Sequence, residues 1–259
     1  MSATNPRPLR ALLALALLLA PAARAQDPCA EAEQAYRERR YEQAEELWRE
    51  CAGTPRVLES PEASAAALYD LGNAAYRRDE PLRALARYTA ASRLTPRDGD
   101  VLANLELARA EAELPPGDRG DFTSTLGRLF GALTVPEAER LLLLALLVWA
   151  GALAGEALRG RAWRLPVVLA SALVALAVVP LLVAHAREGA GRVMIVSRQP
   201  LSLLSEPRAD ATTLLRLGPG DEVRPTDALP GWLKVEADGV RGWIRDAEVE
   251  ASDPPVPAS

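Results

Sequence analysis

The chain has 259 residues and a formal net charge of −5, with only two cysteines and one histidine. An acidic chain without a basic stripe does not suit a nucleic-acid surface, and so few thiol and imidazole groups exclude most metal centres and most cysteine or histidine catalysis. The sequence has no nucleophile–base pair, metal-ligand spacing or phosphate-binding loop. We therefore expect a protein that is not an enzyme and that needs no cofactor.

The amino terminus has the pattern of an export signal. Arg7 and Arg10 precede an apolar stretch over 11–20, and the small-residue motif Ala23-Arg24-Ala25 comes next. This order of positive, apolar and small residues is typical of a secretory signal peptide. We expect residues 1–25 to be that signal peptide; an uncleaved anchor is the alternative, and it too would export the adjoining domain.

Residues 26–114 are expected to form a helical repeat, because alanine, leucine, glutamate and arginine recur there at helical spacing. Two stretches, 35–52 and 75–92, resemble each other when Ala44 is aligned with Ala84. In the second copy Gly72, Ala84 and Tyr88 match the tetratricopeptide pattern, whose period is about 34 residues. The copies are spaced more widely than this period because a linker, 53–61, separates them. The sequence predicts all-α tetratricopeptide hairpins capped by a third helix over 100–113; an ordinary helical bundle is the alternative.

The two cysteines lie at helix ends that should meet. Cys29 is near the start of the first predicted helix, and Cys51 is near the end of the second. In an antiparallel pair these ends are neighbours, and an oxidising exported compartment permits a disulfide. Two buried, reduced cysteines are the alternative.

The concave face of a tetratricopeptide array binds extended peptides in that family. By this resemblance, the candidate groove residues are Tyr69, Asn73, Tyr76, Arg77 and Asn104. The basic residues of a carboxylate clamp are missing, and asparagine also occurs at such positions for structural reasons. The resemblance therefore implies peptide binding without recognition of a terminal carboxylate.

Residues 137–185 are expected to form a transmembrane helical hairpin. Two apolar runs, 141–158 and 165–184, are each close to the roughly 20 residues that cross a bilayer. The bend at 159–164 carries three arginines, which places it in the cytoplasm and both flanking domains outside. Glu156 is expected to pair with Arg159, one turn away. The preceding linker, 115–136, has Phe122, Leu126 and Phe130 at helical spacing, which predicts a short amphipathic helix on the membrane surface.

Residues 189–250 alternate between apolar and polar side chains and are divided by proline, glycine and aspartate turns. This pattern predicts a small all-β barrel, closed or nearly closed, with seven short strands over 193–196, 201–204, 213–217, 222–224, 232–236, 240–244 and 248–250. The pairs Gly231-Trp232 and Gly242-Trp243 make the segment resemble a bacterial SH3 domain. Residues 251–259 are expected to be a disordered tail.

The SH3 resemblance implies recognition of peptides or cell-wall fragments. Candidate contacts or supports are Leu203, Ser205, Trp232 and Trp243. For the two tryptophans, packing in the core of a small barrel is the alternative.

The order of signal peptide, tetratricopeptide repeats, two-span hairpin and SH3-like barrel resembles the BatE-like proteins of the Bat aerotolerance group. The resemblance implies assembly with membrane-anchored von Willebrand factor A-domain Bat proteins, in systems that include a MoxR-type AAA+ ATPase. We therefore expect a multidomain, non-enzymatic scaffold in the bacterial inner membrane, with both soluble domains in the periplasm. The alternative is an envelope receptor whose SH3-like barrel binds peptidoglycan or a peptide.

Overall fold

The computed structural model describes residues 27–117, 133–187 and 191–254. Its helices come first and an antiparallel sheet comes after them, so the chain is a mixed helix and sheet protein. The expected signal peptide, 1–25, and the expected amphipathic helix around 122–130 lie outside the described residues.

Residues 27–117 contain six helices: α1 (Pro28–Arg37), α2 (Tyr41–Ala52), α3 (Pro55–Leu58), α4 (Pro61–Arg77), α5 (Pro81–Leu94) and α6 (Gly99–Glu111). Helix α1 packs on α2 and α4 packs on α5, while α2 also contacts α4 and α5 also contacts α6. Three of the longer helices begin with proline, which suits a first turn because its amide needs no intrahelical partner. Buried alanines such as Ala44, Ala84 and Ala91 let the helices approach closely.

One turn geometry recurs along this helical domain. Arg39 and Asp79, at the ends of α1 and α4, both have φ of 62°, and Glu113 at the end of α6 has φ of 57°. In each turn the next amide donates to a carbonyl five positions earlier: Arg40 to Ala35 (2.9 Å), Glu80 to Ala75 (3.1 Å) and Leu114 to Arg109 (3.0 Å). Three of the described helices thus end with the same turn. The stretch of sequence from Arg39 to Asp79 is longer than the stretch from Asp79 to Glu113.

The apolar segment is a helical hairpin. It consists of α7 (Val135–Arg159), a 3-10 turn (Gly160–Trp163) and α8 (Arg164–Arg187). The two helices pack along each other, and the Trp149 indole N–H donates to the Ser171 hydroxyl at 3.0 Å. Near the turn, the ring of Trp163 lies directly on Gly155.

Among the residues that the structure describes, one helical stretch, Val135–Val183, is long and apolar enough to cross a membrane, with a mean hydropathy of 2.6 in its most apolar window. Only 17% of that window is buried inside the molecule, and leucines such as Leu147 and Leu169 are largely exposed. A soluble core helix would bury this face, so the exposed apolar surface favours contact with lipid.

The expected pairing of Glu156 with Arg159 is wrong. The Glu156 carboxylate instead lies 3.6 Å from Nε of Arg164, on the other side of the turn. The Arg159 guanidinium lies 5.0 Å from the centre of the Trp163 ring. Stacking on this aromatic ring, which closes the hairpin, directs Arg159 away from its helical neighbour.

The sheet has seven strands: β1 (Val193–Ile195), β2 (Leu201–Leu204), β3 (Thr213–Leu217), β4 (Glu222–Leu229), β5 (Trp232–Ala237), β6 (Val240–Arg245) and β7 (Val249–Ala251). Their order is β3-β2-β6-β5-β4-β1-β7, with antiparallel neighbours. The sequence predicts a closed or nearly closed barrel, whereas this order is that of an open sheet with edges at β3 and β7. Its core consists of Ile195, Leu203, Leu217, Val223, Val235 and Ile244.

The sheet domain docks on α5. Arg83 and Arg87, one turn apart on α5, both pair with the Glu250 carboxylate of β7. Further along α5, the Arg93 guanidinium pairs with Glu222 at 2.7 Å and with Asp253. The helical domain and the sheet domain therefore contact each other through a row of charged pairs.

The ordered sheet domain continues past the expected boundary at residue 250. Strand β7 includes Ala251, and Ser252 and Asp253 are buried. Asp253 accepts from the backbone amide of Arg192 at 2.7 Å, besides its pair with Arg93. These distant partners order residues 251–253, which the sequence pattern assigns to a disordered tail; residues 255–259 lie outside the described residues.

Candidate binding groove

Four of the groove candidates lie on α4 and the fifth, Asn104, lies on α6. The structure joins Tyr69, Asn73 and Asn104 with Tyr88 of α5 in one hydrogen-bond network. Asn104 Nδ2 donates to the Tyr69 hydroxyl (2.9 Å) and to Asn73 Oδ1 (3.3 Å), and the Tyr88 hydroxyl donates to Asn73 Oδ1 (2.8 Å). Both asparagine amides therefore have partners within the protein, and they link α4 to α5 and α6.

Arg77 belongs to a second cluster, between α4 and α1. Its Nε donates to the Tyr36 hydroxyl at 3.4 Å, and the Tyr36 ring packs against Tyr41 and Trp48 at 5.3 and 5.2 Å between ring centroids. Tyr76 packs against the neighbouring apolar cluster and is half-buried. Sequence reasoning missed Tyr36, although the repeated Ala-Tyr-Arg at 35–37 and 75–77 is a usable signal.

A cavity of about 390 Å³ lies between α1 and α4, beside a disulfide that joins Cys29 to Cys51. Its wall is apolar where Trp48, Ala66 and Ala67 line it. Its polar lining residues are Asp27, Glu33, Arg56 and Asp70. The cavity thus combines an apolar wall with several carboxylates and one guanidinium.

The carboxyl group of Asp70, which lines this cavity, has a raised pKa. Burial disfavours its charged form and raises the pKa of its carboxyl from 3.8 to about 6; a hydrogen bond with the Asn73 side chain acts against the rise, and Glu33 adds to it. Burial likewise raises the pKa of the Tyr69 and Tyr88 hydroxyls. Asp70 therefore connects the cavity to the network around Asn73, and its charge is only partly compensated.

The sheet-domain candidates do not form one cluster. Leu203 is fully buried in the core, and Ser205 is exposed in the turn after β2, where its amide donates to the Thr212 carbonyl (2.9 Å). Trp243 is largely buried, with Lys234 Nζ 5.5 Å from its ring centre. These three positions support the fold of the sheet.

Trp232 differs from Trp243 because its ring borders a surface cleft. The cleft has a volume of about 260 Å³ and is shared with Leu204 and Ala211. The Arg245 guanidinium lies 4.3 Å from the centre of the Trp232 ring. An aromatic ring with a stacked cation at a cleft offers a contact surface for a ligand.

Within residues 27–117, 133–187 and 191–254, no group of three or more histidine, cysteine, aspartate or glutamate side chains is arranged to hold a metal ion. Comparison of the chain with protein-family models, curated proteins and solved structures found no match. Its function must therefore be inferred from its own residues.

Proposed function

We propose that the chain is a non-enzymatic scaffold of the bacterial inner membrane, resembling the BatE-like proteins. Its helical domain is a tetratricopeptide array that binds an extended segment of a partner protein outside the cytoplasm. Its sheet domain is SH3-like. By the resemblance alone, the partners are membrane-anchored von Willebrand factor A-domain Bat proteins.

The recurring turn supports the tetratricopeptide assignment. The turns at Asp79 and Glu113 have the same backbone bonds, and their spacing in the chain matches the family period of about 34 residues. The close contact of Gly72 with the Tyr88 ring also agrees with a pattern that needs a small residue opposite an aromatic one. Proline comes soon after each of these two turns, at Pro81 and Pro115, so the sequence after α6 resembles the sequence after α4.

The observation that carries the proposal is the placement of the sheet domain on α5. Arg83, Arg87 and Arg93 hold it there, whereas residues of the helical domain alone line the cavity between α1 and α4. We call the surface of α1 and α4 around this cavity the free face. On that face Ala66 and Arg77 are exposed, and Tyr69 is half-buried. A face with aromatic rings and polar groups next to a cavity suits an extended peptide.

The hairpin supplies the anchor in this proposal. Arginines at 159, 161 and 164 cluster at its turn, and positive charge favours the cytoplasmic side. The helical domain and the sheet domain flank the hairpin in the sequence, so a hairpin that crosses twice would place both on the opposite side.

Site-specific crosslinking tests the scaffold function. A photoreactive amino acid at Ala66, on the free face, should crosslink the full chain in native membranes to a protein with a von Willebrand factor A domain. The matched control is the same amino acid at Glu46, which is exposed on α2, and it should give no such product. Recovery of no protein from Ala66, or of the same products from both positions, would contradict the proposal.

The cleft beside Trp232 favours a second candidate, an envelope receptor that binds peptidoglycan or a peptide. Trp232→Ala should then reduce binding of the full chain to purified cell wall at least tenfold, since contact with a tryptophan ring is a major source of binding free energy. The control is Leu229→Ala, an exposed apolar residue on β4. Absence of saturable wall binding by the unaltered protein would remove this candidate.

A further inference from the structure

The cavity between α1 and α4 has the size of a ligand site. Its volume of about 390 Å³ falls within the roughly 300–1,000 Å³ of small-molecule pockets. It lies on the free face, since α1 contributes Cys29 and Glu33 and α4 contributes Ala66 and Asp70. An occupant of the proposed groove would therefore pass over its mouth.

The wall of the cavity suits an aliphatic chain. Three alanines of α4 at positions 63, 66 and 67 present methyl groups, and Trp48 and the disulfide of Cys29 and Cys51 provide further apolar surface. Ala66 is exposed and Trp48 is buried, so the apolar surface runs from the mouth inward. Such a wall gains free energy by covering methylene groups.

The polar end of the cavity lacks a positive charge at Asp70. Among the described residues, the one cation in the cavity lining, Arg56, lies 3.3 Å from Asp27. Glu33 of the lining is paired with Arg37 at 3.3 Å. Asp70 has the Asn73 amide as a neutral partner and Glu33 as a charged neighbour of the same sign. A half-buried carboxylate in this setting would be stabilised by a cation delivered from outside.

We propose that this cavity receives the lysine or arginine side chain of the peptide bound in the groove, with its methylene groups along Ala63, Ala66 and Ala67 and its positive group at Asp70. The inference rests on the proposed peptide-binding function and adds the chemistry of the peptide. The lining holds more carboxylates than cations, and its one guanidinium, Arg56, is paired with Asp27. An apolar wall with this excess of negative charge selects a long cationic side chain over a neutral or an acidic one.

The cavity can be probed without knowing the peptide. The probe is n-pentylammonium, which copies the end of a lysine side chain, and 1-pentanol is the neutral comparison. The full chain is studied in detergent with ¹⁵N labels at its five tryptophan indoles. The NMR signal of the Trp48 indole reports binding, and the Trp48→Phe variant identifies that signal by its loss. We expect a saturable shift of that signal by pentylammonium, at concentrations at least tenfold lower than for pentanol.

Substitutions distinguish the contribution of the Asp70 carboxylate from that of the cavity volume. Asp70→Asn, which keeps the shape of the side chain, should remove the tenfold preference for the cation. Ala66→Leu, which fills the mouth, should weaken both probes. Glu46→Gln, an exposed carboxylate outside the cavity lining, should change neither.

Equal binding of pentylammonium and pentanol, or an unchanged preference in Asp70→Asn, would overturn the inference. That outcome would leave the scaffold function standing, because the crosslinking at Ala66 tests that function separately. Conversely, a failed crosslink with a cation-selective cavity would remove the protein partner and keep the cation site.

Discussion

At the scale of single residues, Asp70 opposes the stability of the fold at neutral pH. Its carboxyl has a pKa of about 6 in the folded protein against an ordinary value of 3.8, chiefly because of burial. The folded state therefore holds this proton more tightly than the unfolded chain. The stability that the protonated form contributes is fully present below about pH 4 and is lost as the pH rises through about 6.

Asp70→Asn should remove this pH-dependent loss. At pH 7 we expect the variant to be more stable than the unaltered chain by roughly 1–2 kcal/mol, after a discount for solvent screening. At pH 4 the difference should nearly vanish. Urea unfolding of the full chain in detergent, followed by circular dichroism between pH 4 and 7, measures this difference in unfolding free energy. Glu46→Gln is the control. A difference independent of pH would contradict the assignment.

Gly72→Ala tests the close approach of α4 and α5. A Cβ at Gly72 would lie 2.5 Å from Cε1 of Tyr88. The Tyr88 ring is buried and its hydroxyl is held by Asn73, so it has little room to move. We expect a loss of about 1–3 kcal/mol of unfolding free energy, measured by urea unfolding. Gly99→Ala, where a Cβ meets nothing within 4 Å, should be neutral; equal stability of both variants would contradict the packing.

At the scale of elements, the local sequence pattern predicts the bounds of a strand correctly where those bounds depend on that segment alone. The sequence predicts strands at Leu201–Leu204 and Thr213–Leu217, and the structure has the same bounds. It also predicts that β4 stops at Arg224, yet the strand continues to Leu229. The ladder shifts register between Pro225 and Asp227, because proline has no amide to donate. The sequence shows the proline but not the irregularity that accommodates it.

The groove illustrates what element patterns leave open. The tetratricopeptide resemblance places Tyr69, Asn73 and Asn104 in one groove, and the structure brings the three side chains together. The sequence pattern does not show that the two asparagines bond to each other, or that Asn73 also bonds to Tyr88. Nor does the sequence pattern single out Asp70, which the fold brings into one cavity with residues of α1 and α2. Spacing along one helix carries no information about which other helices lie beside it.

The two glycines of the hairpin give a matched pair of substitutions. A Cβ at Gly155 would lie 2.4 Å from the Trp163 ring, whereas a Cβ at Gly151 would meet nothing within 4 Å. Gly155→Ala should therefore lower the stability of the hairpin by about 1–3 kcal/mol, and Gly151→Ala should not. Unfolding in sodium dodecyl sulfate, followed by tryptophan fluorescence, compares them. The reverse order would contradict the closing contact at Trp163.

At the scale of the whole molecule, the contact between the helical and sheet domains is the feature that sequence patterns could not reveal. It joins Arg87 to Glu250 and Arg93 to Asp253, pairs that are 163 and 160 residues apart in the chain. Nothing in the sequence around any of these side chains distinguishes it from other charged surface residues. Met194 of β1 also joins the apolar cluster of α4, α5 and α6, so the contact has an apolar part beside its charges.

Glu250→Gln should loosen this contact. It removes the carboxylate from Arg87, which is largely buried, and leaves Arg83 with Glu80 alone, at 3.6 Å. Breaking a buried charged pair is costly. We expect amide hydrogen exchange in β7 and in the facing part of α5 to rise at least about tenfold. Glu248→Gln, at the same sheet edge, is the control. Unchanged exchange in Glu250→Gln would show that the charged pairs do not hold the domains together.

The central claim is that a hairpin anchors the helical and sheet domains on the same side of the membrane, outside the cytoplasm. A reporter enzyme that is active only after export tests this directly, inserted at Gly160 in one fusion and after Ser259 in another. We expect activity at the carboxyl end and none at the turn. Activity at the turn, with a silent carboxyl end, would contradict the claim.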